Sequence, residues 1–90
     1  ALMGKTTTYH EFGHVLHLVN KEIGKDINQF LEDNKPRQNG WHALLSKYSD
    51  ANDLEFVAES FAVYMSKPKS DHYRIHPGLL SIFKKWDRAE

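Results

Sequence analysis

The sequence predicts an all-α fold of four or five helices, formed by residues 1–90 as a single domain. Apolar residues recur at the three- and four-residue spacing of helices along most of the chain. No segment alternates apolar and polar residues convincingly enough to predict a strand. A length of 90 residues suits one domain, and a hydrophobic content of 40% is enough to build a core.

Two helices are predicted in the first part of the chain. The first spans about residues 7–18, and its apolar positions are Phe12, Val15, Leu16 and Val19. The second has the apolar stripe Ile23, Ile27, Phe30 and Leu31, and Gly24 weakens it. The segment NKPRQNG at 34–40 is predicted to be a loop, because Pro36 and the Asn39-Gly40 pair break helices.

A short helix over residues 41–48 and two longer helices are predicted after this loop. The first of the longer helices begins at an N-cap of Asn52 or Asp53 and runs to about Ser66, where Pro68 stops it. Its apolar stripe is Leu54, Val57, Ala58, Phe61, Ala62 and Met65. Residues 67–76 are predicted to be a basic, polar loop. Pro77 suits the first turn of the last helix, whose apolar residues are Leu79, Leu80, Phe83 and Trp86.

Composition argues against several classes of protein. Twelve basic residues balance twelve acidic ones, so neither nucleic acid nor an anionic membrane is an expected partner. The absence of cysteine excludes a disulfide framework and a Cys-ligated zinc site. No apolar run is long enough to span a bilayer, and no signal peptide is visible. Because the chain begins with Ala1, we expect it either to have lost its initiator Met or to have been cut from a longer parent protein.

The stretch TYHEFGHVLH at residues 8–17 contains three histidines and one glutamate. On a helix, His10 and His14 lie one turn apart on the same face and can direct neutral imidazole nitrogens at one Zn²⁺ ion. Glu11 is turned to the side, where its carboxylate can take the proton of a zinc-bound water. This H-E-x-x-H arrangement predicts a catalytic zinc site. The alternatives are a histidine-rich surface helix or a capping box from Thr8 to Glu11.

A third ligand is expected, because catalytic zinc usually has three protein ligands and one open position. Glu55 and Glu59 lie four residues apart, on one face of the predicted helix at 53–66 and among apolar neighbours. Carboxylates at the edge of a buried face need a partner. We expect one of them to bind zinc and the other to hold a ligating histidine by its second nitrogen. The alternative is that one or both are solvated.

Two blocks of the chain resemble a known family. The motif H-E-F-G-H at 10–14, followed by Y-S-x-x-N-D-x-E-F-x-A-E-S-F at 48–61, is similar to the gluzincin metallopeptidases. The similarity is strongest to the catalytic domain of anthrax lethal factor, and comparable segments occur in zincin-like domains of phage minor head proteins and related mobile-element proteins. Val57 replaces the commoner aromatic residue of this pattern. The ending HPGLLSIFKKW also resembles the tails of the phage-type domains.

This resemblance implies a role for each matched residue. Glu55 falls on the position of the third zinc ligand, beside His10 and His14, and Glu59 on the position that supports a ligand. Tyr48 stands seven residues before Glu55, where a tyrosine of the family stabilises the oxyanion. Zinc is the implied cofactor, a peptide or protein is the implied substrate, and a cytoplasmic or virion-associated location is expected.

The resemblance leaves two functions open. Zincin peptidases usually have a small sheet before the active-site helix, whereas nine residues precede His10 here. The first function is therefore a zinc-dependent endopeptidase whose upstream sheet is reduced or missing. The alternative is a non-catalytic zinc-binding module of a phage or mobile-element protein.

The remaining histidines, basic residues and tryptophans are expected to have structural roles. His17 is expected to contact core or solvent at a helix end, rather than to be a fourth ligand. His72 and His76 are expected to be solvated, and His42 has no evident partner. Lys67, Lys69 and Arg74 form a small basic patch on a soluble face, with contact to a larger assembly as the alternative. Trp41 and Trp86 are expected in the core.

Overall fold

The computed structural model describes residues 9–35, 39–45 and 52–89, and every regular element in these ranges is a helix. The order is α1 (Tyr9–Leu18), α2 (Lys21–Asn34), a 3₁₀ helix (Trp41–Leu44), α3 (Asp53–Ser66), a second 3₁₀ helix (Lys69–Arg74) and α4 (Pro77–Ala89). The prediction of an all-α fold is confirmed. In the part of the chain that the structure describes, no helix is long and apolar enough to cross a membrane.

Some predictions concern other parts of the chain. Thr8, Tyr48 and the side chain of His42 lie outside the described residues. The expected reduction or loss of an upstream sheet concerns the stretch before Tyr9, which also lies outside them. The alternative of a capping box from Thr8 to Glu11 therefore stays a prediction.

Matching asparagine caps begin α2 and α3. The side-chain oxygen of Asn20 accepts a hydrogen bond from the backbone N–H of Ile23 at 2.9 Å. The side-chain oxygen of Asn52 accepts one from the N–H of Glu55 at the same distance of 2.9 Å. Each cap satisfies a backbone donor that has no partner within the helix, which contributes about 1 kcal/mol. Of the two N-caps predicted for α3, the structure therefore selects Asn52.

The hydrophobic core lies between the four α-helices, and α3 contacts both α1 and α4. The largest fully buried apolar side chains are Phe56, Phe61, Phe83, Ile27, Ile75, Leu79 and Val57. Trp41 and Trp86 are partly buried and pack against this cluster, as predicted. Gly24, which weakens α2 as a helix, lies where α2 meets the end of α1. A glycine is needed there, because a side chain would clash with the His17 carbonyl.

The apolar stripe predicted for α1 coincides only in part with its buried face, through Leu16. The buried residues of α1 are Gly13, Leu16 and His17. Val15 and Val19 are 51% and 68% exposed. Phe12 is 41% exposed, although its ring stacks on that of Phe61 with centroids 5.6 Å apart. Periodicity correctly predicted the helix, but the contact of α1 with α3 also includes Gly13 and the motif histidines.

The prediction of a loop over residues 67–76 is wrong, because the second 3₁₀ helix occupies Lys69–Arg74. The prediction that His72 and His76 are solvated is also wrong, since both are partly buried. The Nε2–H of His72 donates to the Tyr64 carbonyl at 3.2 Å. His76 packs against the rings of Phe30 and Trp41, each with centroids 4.8 Å apart, and this burial lowers the pKa of His76.

Candidate metal centre

The candidate site lies where α1 crosses α3, and Gly13 allows the two backbones to come close. A Cβ atom at Gly13 would lie 2.9 Å from the Cα of Ala58 and 3.2 Å from its carbonyl oxygen. Ala58 is itself fully buried, at 0% exposure. Because His10 and His14 flank Gly13 in sequence, while Glu55 and Glu59 flank Ala58, this close contact brings the four side chains together.

One carboxylate faces both histidines of the H-E-x-x-H motif. The Oε1 atom of Glu55 lies 2.6 Å from Nε2 of His14, and its Oε2 atom lies 3.3 Å from Nε2 of His10. The two imidazole rings meet edge to face, with centroids 4.9 Å apart. Two helices distant in sequence thus direct one carboxylate and two ring nitrogens at a common point.

The second glutamate of α3 contacts the other side of the first histidine. The Nδ1 atom of His10 pairs with Oε2 of Glu59. If Nδ1–H donates to this carboxylate, Nε2 of His10 carries the free lone pair and faces Glu55. The two glutamates therefore differ in their contacts, since Glu55 faces both Nε2 atoms and Glu59 pairs with Nδ1 of His10.

The donor set of His10, His14 and Glu55 fits a divalent transition metal. Their ligand atoms all lie within 4.8 Å of one another. Tetrahedral ligands held at ~2.0–2.1 Å from zinc lie ~3.3 Å from each other, which falls within the range that this cluster spans. Two imidazoles and one carboxylate are a set that zinc accepts while keeping an open coordination position.

Charge and exposure also suit a bound cation. With both carboxylates ionised and both imidazoles neutral, the four side chains hold two negative charges. The side chains of His10, His14, Glu55 and Glu59 are 24%, 28%, 27% and 19% exposed, so the cluster is partly shielded and still open to solvent. A cation entering from solvent would meet an attraction that bulk water screens incompletely.

The other predicted site residues have different surroundings. Glu11 is exposed on α1, directly after His10. His17 is 5% exposed, and its Nε2–H donates to Oδ1 of Asn28 at 2.7 Å. Its Nδ1 atom has no hydrogen-bond partner among the described residues. His17 therefore contacts the core at the helix end, as predicted, and is not part of the cluster.

The sequence did not connect the cap of α3 with the candidate site. Asn52 was predicted only as a helix cap. Its side-chain oxygen accepts a hydrogen bond from the backbone N–H of Glu55, so it fixes the first turn of α3, which carries the Glu55 side chain. The spacing of three between Asn52 and Glu55 is the signal that links them.

Comparisons with protein-family models, with curated proteins and with solved structures returned no match for this chain.

Proposed function

We propose that the chain is a zinc-dependent metallopeptidase of the gluzincin type, in which His10, His14 and Glu55 bind the metal. The observation that supports this most directly is the convergence of both Nε2 atoms on the Glu55 carboxylate. That convergence joins Glu55 to two histidines that lie more than forty residues before it in the sequence. A histidine-rich surface helix would not require it.

Each residue of the site has a chemical task in this proposal. A bound Zn²⁺ ion would act as a Lewis acid, lowering the pKa of water and polarising a peptide carbonyl. Glu59 holds the imidazole of His10 by Nδ1, which fixes the direction of Nε2. Glu11 takes a proton from the attacking water and returns it to the leaving amine. Tyr48 donates a hydrogen bond to the carbonyl oxygen as negative charge develops there.

Replacement of the proposed general base tests the function. Glu11→Gln should keep zinc, because Glu11 is not a ligand, and should lower peptide hydrolysis by ~10²–10⁴-fold through loss of the base. Cleavage of a peptide library by the zinc-loaded protein is followed by mass spectrometry. Glu32→Gln is the matched control, since Glu32 is an exposed glutamate of α2. Hydrolysis that survives Glu11→Gln would contradict the mechanism.

A second candidate function is a non-catalytic zinc-binding module of a phage or mobile-element protein. The observation that favours it is the apolar surface at the end of α1, where Val15, Leu18 and the following residue, Val19, are each more than half exposed. Such a surface suits contact with the rest of a larger protein. Zinc bound stoichiometrically, with no peptide cleaved even by the longest native form of the chain, would favour the module over the enzyme.

A further inference from the structure

The chain has a net charge of zero, but its basic and acidic residues are distributed unevenly along the sequence. Residues 60–89 contain six basic and two acidic side chains, so this segment has a formal charge of +4. The other sixty residues contain six basic and ten acidic side chains, a formal charge of −4. The basic segment comprises the end of α3, the second 3₁₀ helix and α4.

A cleft of about 540 Å³ lies within this basic segment. Lys67 and Lys69 line it from the connection after α3, and Lys84 and Arg88 line it from α4. All four side chains are exposed. Like charges gathered around a concave surface reinforce one another, and the local potential there favours an anionic partner.

These four cations differ from a neighbouring lysine in their ion pairing within residues 9–35, 39–45 and 52–89. None of them forms an ion pair with a carboxylate of the described residues. The neighbouring Lys85 differs, because it pairs with Asp26 at 3.1 Å. The cleft also contains one carboxylate, Asp87, which accepts a hydrogen bond from the Tyr64 hydroxyl at 2.9 Å.

Part of the cleft is apolar. Met65 is 38% exposed there, and Pro68 beside it is exposed. The rings of Tyr64 and His72 pack against each other with centroids 5.2 Å apart and form one wall. Burial, followed by the hydrogen bond to Asp87, raises the pKa of Tyr64 to about 12, so its hydroxyl keeps its proton at neutral pH. An apolar lining beside exposed cations matches an apolar side chain that has acidic neighbours.

We propose that this cleft binds an acidic segment of a partner protein, with an apolar side chain of that segment on Met65 and Pro68. Nucleic acid suits it less, because proteins that bind nucleic acid usually have an excess of positive charge, and this chain as a whole has none. Free phosphate suits it less, because it would leave the apolar lining of Met65 and Pro68 without a contact.

The cleft is separate from the candidate metal centre. Tyr64 and Glu55 are nine residues apart on α3, which places them ~13 Å apart along the helix and about half a turn apart around it. A partner bound in the cleft would therefore occupy a surface that the metal ligands do not form. Binding in the cleft requires no metal, so it can be tested whether or not the protein has the proposed peptidase activity.

Fluorescence anisotropy with a fluorescein-labelled peptide of six glutamates around one Phe-Leu pair tests the proposal. Wild-type protein should bind the peptide, and the double variant Lys84→Glu with Arg88→Glu should bind it at least about tenfold more weakly. The double variant Lys21→Glu with Lys25→Glu is the matched control. It also reverses the charge of two exposed basic side chains four residues apart on a helix, but outside the cleft, and should change the affinity by less than about twofold.

Two further peptides and a second double variant complete the test. Peptides with glutamine for glutamate, or with glycine for the Phe-Leu pair, should each lose binding. If the α4 variant fails to fold, as judged by its melting curve, Lys67→Glu with Lys69→Glu should show the same loss. Equal loss in the matched control would mean a long-range effect of charge and would overturn the proposal. So would no peptide binding by wild type at about 1 mM, or tighter binding of an oligonucleotide or of inorganic phosphate.

Discussion

Helices α1 and α3 supply two residues each to the histidine–glutamate cluster, yet the core holds them very differently. Six residues of α3 are buried, including Phe56 and Phe61 at 0% exposure. Only three residues of the ten-residue α1 are buried, and one of them is Gly13. The glutamates therefore stand on a helix fixed by the core. The histidines stand on a helix that is held by fewer buried side chains and by the close approach of Gly13 to Ala58.

Because of this difference, substitutions on α3 and substitutions at its contact with α1 should have different effects. Changes in the core face of α3 should lower the stability of the whole molecule. Changes at the contact between α1 and α3 should move His10 and His14 relative to Glu55, with a smaller loss of stability.

The largest effect on stability is expected from replacing a phenylalanine of α3 by alanine, and the same replacement on α1 should have a much smaller effect. Phe61→Ala should lower the free energy of unfolding by ~3–5 kcal/mol, because it opens a cavity at a fully buried position of α3. Phe12→Ala on α1 should cost less than ~1.5 kcal/mol, because that ring is 41% exposed. Urea unfolding of both variants measures the difference. Equal losses would mean that α1 is held by the core as firmly as α3.

A smaller effect on stability, but a direct effect on the site, is expected from Gly13→Ala. The added methyl group would meet backbone atoms of Ala58, which cannot turn aside as a side chain can. The overpacking should outweigh the gain of ~1 kcal/mol in helix propensity, for a net loss of ~1–2 kcal/mol.

Zinc affinity should fall with Gly13→Ala, because α1 is pushed away from α3. Val15→Ala, on the exposed side of the same helix, is the control and should change neither stability nor affinity appreciably. Titration calorimetry with Zn²⁺ and thermal unfolding measure the two quantities. Unchanged zinc affinity in Gly13→Ala would show that the close contact does not set the ligand geometry.

The two asparagine caps offer the finest distinction. Asn20→Ala and Asn52→Ala remove equivalent hydrogen bonds, so each should cost about 1 kcal/mol of stability. Only Asn52→Ala should also weaken zinc binding, because that cap holds the turn of Glu55. Zinc titrations of both variants at matched stability make the comparison. A weakening that is the same in both would indicate a general effect of destabilisation.

Much of α3 was predictable from sequence, because the signals for it lie in the helix or directly beside its ends. Asn52 and Pro68 are local signals for its ends, and the spacing of Glu55 and Glu59 places both on one face whatever else the chain does. Helix α1 was predictable as a helix, and its H-E-x-x-H motif indicated that its histidine face meets the glutamates of α3. The burial of its apolar stripe was predictable only in part, since Leu16 is buried and Val15 is exposed.

The surroundings of His72 and His76 were not predictable in this way. Both lie in a polar stretch next to Pro77, which is typical of a loop. His76 is covered by Phe30 and Trp41, which are far away in sequence, and His72 is covered by the ring of Tyr64. Such burial depends on long-range packing that local periodicity does not encode. The basic cleft was likewise only partly visible, since Lys84 and Arg88 join Lys67 and Lys69 only when α4 folds back beside α3.

Titration of Zn²⁺ into chelator-treated protein tests the central claim most directly. The wild type should bind one ion, and Glu55→Ala should abolish tight binding, because Glu55 faces the Nε2 atoms of both His10 and His14. Glu59→Ala should weaken binding by only ~10–100-fold, because Glu59 acts through Nδ1 of His10. No binding by the wild type, or complete loss from Glu59→Ala with none from Glu55→Ala, would contradict the account.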